Sequence, residues 1–170
     1  MKVALILIVI LFIALSPVIG LRPSLRQKRL VALREMARRH ETRVTVEKTT
    51  LFSGASPATV GYRLRYPREL QGPRFALIRE KEERADERVP TARWQKTYTT
   101  PLDADTTHAL DAFLEQLPTD AHALESDAAA LTLWWDESLS SESFEPLLKQ
   151  FKHIHVLLMK RYNGQRRLTE

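Results

Sequence analysis

The chain has 170 residues, no cysteine and a formal net charge of +5. The missing cysteines exclude disulfides, thiolate metal sites and cysteine nucleophiles. The small net charge hides a segregation: residues 22–100 carry a net +10, residues 101–145 carry 11 acidic side chains and no lysine or arginine, and residues 146–170 carry a net +5. A polarised molecule with a basic early part and an acidic later part is the expectation, the simplest form being an acidic helix packed against basic strands.

Val3 to Leu21 is uncharged, with Ser16 its only polar side chain, and it stops at Arg22, Arg26, Lys28, Arg29, Arg34, Arg38 and Arg39. Nineteen residues at about 1.5 Å rise span roughly 28 Å, the thickness of a bilayer's hydrocarbon core. The run predicts a transmembrane anchor over 1–21, with Pro17 and Gly20 loosening its last turn. The positive-inside rule then places the amino terminus outside and the rest of the chain in the cytoplasm, as a single-pass membrane protein. The alternative is a signal peptide cleaved after Gly20, against which stand the length of the run and the basic block beyond it.

Residues 22–41 read as a basic juxtamembrane helix, with Ser24 as N-cap and Leu30, Leu33 and Ala37 on one face. Arg22, Arg26, Lys28 and Arg29 would then contact the anionic lipid headgroups of the bilayer, at about 1 kcal/mol per basic side chain. A solvated stalk is the competing reading of the same helix.

From Thr42 the period drops to two. Arg43–Thr50 is β-branched and alternating, Ser53–Pro57 is a turn, and Val60–Tyr66 sets Val60, Tyr62, Leu64 and Tyr66 opposite a row of arginines. Phe75–Ile78 and Trp94–Thr99 follow, with the charged stretch Glu80–Arg88 between them. Four successive strands predict an antiparallel meander with one buried face. A helical period then returns: Asp103 or Asp105 caps a helix with the stripe Leu110, Phe113, Leu114 and Leu117, ended by Pro118. His122–Glu125 and Ala130–Trp135 form two short strands turning at Ser126–Asp127. Ser143 is expected to cap a long helix with the stripe Phe144, Leu147, Leu148, Phe151, Ile154, His155 and Leu158. The fold class expected is α+β: an anchor and a basic helix, then a mostly antiparallel sheet with two covering helices over 42–163, and a basic tail over 164–170.

No chemical motif stands in its required context. Asp103-Ala104-Asp105-Thr106-Thr107 matches the D-x-D-x-T string of haloacid-dehalogenase-like phosphotransferases but lacks the preceding buried strand, so its carboxylates are better placed at a helix N-terminus. His153 and His155 project about 200° apart on a helix and cannot share an ion. His108 and Asp111 share a face without a third group. Trp134 and Trp135, adjacent on a strand, point to opposite faces, so one is expected in the core and the other at least partly exposed as a partner contact. Catalytic, cofactor and metal residues are therefore expected to be none, and nucleic acid is excluded because the basic residues do not interleave with aromatics.

Arg22-Pro23-Ser24-Leu25-Arg26-Gln27-Lys28-Arg29 after an apolar run resembles YajC, the auxiliary subunit of the bacterial Sec preprotein translocase. The resemblance covers about forty residues. Where that family continues with a Lys-Gly-Asp stretch and a Gly-Gly turn, this chain has Arg39-His40-Glu41-Thr42-Arg43-Val44. The whole chain also looks like single-span proteobacterial inner-membrane proteins. The function expected is a membrane-anchored cytoplasmic interaction or assembly module that binds a membrane or cytoplasmic protein, with an auxiliary role in translocation implied by the resemblance alone. An enzyme with a site assembled from distant residues, and a periplasmic domain released by cleavage, stay open.

Overall fold

The computed structural model describes residues 24–47, 59–80 and 94–169. Their elements are α1 (Leu25–Arg39), β1 (Arg43–Glu47), β2 (Thr59–Arg65), β3 (Phe75–Arg79), β4 (Trp94–Tyr98), α2 (Ala104–Glu115), β5 (Ala121–Ser126), β6 (Ala130–Trp135) and α3 (Ser141–Thr169). The six strands form one antiparallel sheet in the order β1-β2-β6-β5-β3-β4.

That order corrects the expected four-strand meander. β2 and β3 are separated by the β5–β6 hairpin, which occupies the middle of the sheet. Burial explains the choice. Ala130–Trp135 is buried at every residue, whereas Arg43–Glu47 and Trp94–Tyr98 keep polar, exposed side chains. The apolar strand is stable where both its faces are covered, and charged strands protect the edges.

Register sorts the side chains onto two faces. Val44, Tyr62, Leu133, Leu124 and Leu77 lie in one cross-strand row, flanked by the row of Leu64, Leu131, Ser126 and Phe75. These rows meet the helices. Phe144, Leu147, Leu148, Phe151, Ile154 and Leu158 of α3 join Leu110, Phe113 and Leu114 of α2 over them as one core. Phe144 stacks on Trp135 at 4.6 Å and meets Tyr62 edge-on at 5.2 Å, geometries that aromatic quadrupoles favour.

The helix ends follow local chemistry. Ser24 and Gln27 form a reciprocal capping box at the start of α1. Asp103 caps α2, accepting from Thr106 N at 2.9 Å. At α3 the expected cap moves: the helix begins at Ser141, and Ser140, not Ser143, accepts from the chain, through its Oγ to Ser143 N at 3.3 Å and its carbonyl to Phe144 N at 3.0 Å. The earlier start places Glu142 in the first turn, where the helix dipole favours an acid.

Two expectations about the periphery change. α1 is a third covering helix, not a separate element: Leu33 and Ala37 are buried in the common core. The expected tail at 164–170 belongs to α3 as far as Thr169.

The expected fold class and inner-membrane placement are corrected as well. The structure is an α+β fold of six strands and three helices, and among the described residues no helix is long and apolar enough to cross a membrane. α3 is long enough at 29 residues, but Glu142, Glu145, Lys149, Lys152, Lys160 and Arg161 interrupt it. The segment 1–21 expected to form the anchor lies outside the described residues. The single-pass topology, with its outside terminus and cytoplasmic domain, accordingly has no support in this fold.

Candidate functional site: the sheet face opposite the helices

The helices cover one face of the sheet. On the other lie Arg43, Thr45 and Glu47 of β1, Gly61, Arg63 and Arg65 of β2, Thr132 and Trp134 of β6, and Ala123 and Glu125 of β5, grouped by register. Glycine is required at 61. A Cβ there would come within 2.9 Å of the Trp134 ring, so the indole lies flat where a side chain would otherwise stand. Its N–H donates to Glu125 Oε2 at 3.1 Å, holding the ring down.

Past Arg65 the chain turns around the tip of the β5–β6 hairpin. Tyr66 N donates to Ala129 O at 2.8 Å and Gly72 N to Ala128 O at 3.3 Å. Gly72 has no room for a Cβ, which would fall 1.9 Å from the Tyr66 ring. Tyr66 is sandwiched further by His155, stacked at 4.7 Å, and its hydroxyl bonds Ser126 at 3.0 Å. Burial pushes the Tyr66 hydroxyl up to about 12, so it stays a neutral anchor.

This wrap leaves a groove of about 580 Å³ between β1, β2 and the 66–71 segment. Arg43, Arg63, Arg65 and Arg68 line it with Thr45, Glu47, Leu70 and Gln71. Arg43 and Arg63 are directly opposite each other across β1 and β2, an unfavourable like-charge placement. Arg63 bonds Asp127 at 2.8 Å, and Asp127 in turn accepts from Ala129 N and Ala130 N, which fixes the hairpin turn. Among the described residues, Arg43, Arg65 and Arg68 have no ion-pair partner. The result is an open concave surface with surplus positive charge and fixed walls. It can hold an anion or an acidic side chain by charge-assisted hydrogen bonds.

The residues expected to carry function fall elsewhere. Arg26 and Lys28 are exposed on α1, on the helical side of the sheet, and Arg22 lies outside the described residues. Arg29 reaches back to the Glu137 carbonyl at 3.3 Å. The expectation that one of the two adjacent tryptophans would be at least partly exposed is corrected: Trp134 is 5% exposed and Trp135 0%. They do point to opposite faces, but the missing Cβ at Gly61 lets Trp134 sink into its own face. His155 is the boundary histidine expected from the stripe, with Nε2 3.1 Å from Arg65 O. Asp103 serves its helix terminus, as its two contacts to Thr106 show.

In the sequence the arginines of the groove look like the solvent side of an alternating strand, so their convergence is not legible there. The signal was present in the spacing of Arg63 and Arg65, but Arg43 joins them only through strand pairing. No family model matches this chain, and no curated protein matches it. Among solved structures it is similar to the crystal structure of the mycobacterial trehalose monomycolate transport factor A, TtfA. The likeness has 10% identity and a TM-score of 0.37 over 73% of this chain and 92% of that chain, too slight to carry an argument.

Proposed function

We propose that this domain is a protein-interaction module whose arginine-lined groove, on the sheet face opposite the helices, receives an acidic segment of a partner protein. One observation carries the reading: Arg65 and Arg68 are exposed beside Arg43 and Arg63 in a walled groove, without ion-pair partners among the described residues. Exposed arginines that converge on a concavity steer an acidic partner and fix its register more than they add affinity. Leu70 and Gln71 on the rim add an apolar and an amide contact suited to a peptide.

Fluorescence anisotropy of a labelled glutamate-rich peptide with the full chain tests this. Saturable binding that weakens with salt is expected, and R65E/R68E should reduce affinity by about tenfold or more. Unchanged binding by that variant overturns the assignment. A single-stranded oligonucleotide of equal charge is the control, and tighter binding of the oligonucleotide would replace a protein partner with nucleic acid.

A further inference from the structure

β1 is the outer strand of the sheet, so one side of its backbone has no strand beside it among the described residues. Its sequence, Arg43-Val44-Thr45-Val46-Glu47, has opposite charges at its ends, valines inside them and threonine at its centre. Val46 is 56% exposed, one of few large apolar side chains in the described residues to be so open. Edge strands are ordinarily blunted by charge, proline or a bulge; β1 carries charge only at its two ends and of opposite sign, so a second copy of the same strand can neutralise what would repel another one.

We infer that β1 pairs antiparallel with β1 of a second copy of this chain, joining the two sheets across a two-fold axis at Thr45. In that register Arg43 stands opposite Glu47 of the second copy and Glu47 opposite its Arg43. Val44 and Val46 oppose each other's counterparts, and the two threonines meet on the axis. Each pair is of a kind that stabilises cross-strand neighbours: opposite charges, β-branched side chains and hydroxyls. Two-fold symmetry makes each such contact occur twice, as in any isologous interface.

The register is selected by the sequence. Centring the pair on Val44 or Val46 shortens the ladder and sets a threonine, not an opposite charge, against Arg43 or Glu47. A shift of one residue between the strands opposes valine to charge and exchanges the faces. Pairing at Thr45 also relieves an existing conflict, because Arg43 now faces Arg63 on one side and a carboxylate on the other. The ladder uses Arg43, Thr45 and Glu47, which also line the groove, but the acidic-partner reading is tested at Arg65 and Arg68, outside β1, so the two can fail separately.

A five-residue ladder falls short of the roughly 1,000 Å² that a stable complex buries, so the dimer is reversible, with Kd on the order of 100 µM. Sedimentation velocity of the full chain from about 10 µM to about 1 mM should show the shift from monomer to dimer across that Kd. R43E and E47R each place two like-charge pairs in the interface and should weaken association by about tenfold or more. The double variant R43E/E47R re-pairs the charges and should restore it. Because both side chains are exposed, circular dichroism of all three variants should match the parent. A monomer throughout the range overturns the proposal. So does association that the single variants leave intact or that the double variant fails to restore, the outcome expected of nonspecific apolar contact.

Discussion

Arg34 and Glu137, 103 residues apart in the chain, are joined by two guanidinium contacts, with Nε 2.8 Å from Oε1 and Nη2 against Oε2. The Tyr62 hydroxyl donates to the same carboxylate at 2.8 Å, and Arg29 reaches the Glu137 carbonyl. Glu137 is buried and takes φ of 60°, a left-handed conformation that costs a non-glycine residue. One buried acid thus ties α1, β2 and the segment entering α3. The hydrogen bond to Glu137 raises the Arg34 pKa. Burial, then the Glu137 charge, raises that of Tyr62 well above the usual tyrosine range.

Removing Glu137 should destabilise the domain strongly, because Arg34 and Tyr62 lose the acceptor that justifies their placement. Glu137→Ala is expected to cost about 3–5 kcal/mol in urea unfolding, and Glu137→Gln less, since its amide oxygen still accepts. A cost below about 1 kcal/mol for Glu137→Ala would show that the pair is not buried in solution.

Gly72 should tolerate no side chain. Gly72→Ala forces a Cβ into the Tyr66 ring, an overpacking expected to cost about 1–3 kcal/mol. Tyr66→Leu is also destabilising, through the lost stack on His155 and the lost Ser126 bond. The double variant should nevertheless cost less than the sum of the two, because the clash needs the ring. Additive costs in a thermal-denaturation cycle would place the two residues apart.

Stability should fall with acid through His155. Burial depresses its pKa below 6.5, partly opposed by the Arg65 carbonyl. The unfolded chain therefore binds this proton more readily than the native one, so the neutral ring's contribution is present above about 6.5 and lost as pH falls through the depressed native value. His155→Gln should flatten the pH dependence of unfolding in that interval. A profile identical to the parent's would assign the acid sensitivity to another group.

Much of the secondary structure is legible locally. The Ser24 and Asp103 caps, the two-residue alternation of β2 and the stripe of α3 are set by neighbours within a few residues, which is why pattern alone locates them. Strand order is not local. Val60–Arg65 pairs with Ala130–Trp135, some seventy residues on, because the most apolar strand takes the sheet centre. Glu137 has no signature either, as nothing beside Asp136 distinguishes it from other surface acids until Arg34 and Tyr62 close over it.

What the sequence determined by itself was therefore composition and period: an α+β chain without thiol chemistry, with segregated charge and with helix stripes and strand alternation of predictable residues. Tertiary structure decided which of those residues met. It buried both Trp134 and Trp135, because a glycine on the neighbouring strand left room for one. It drew α1 into the core and gathered arginines from two strands and a loop into one groove. Those outcomes depend on contacts between residues distant in the chain, whose energies no local window contains.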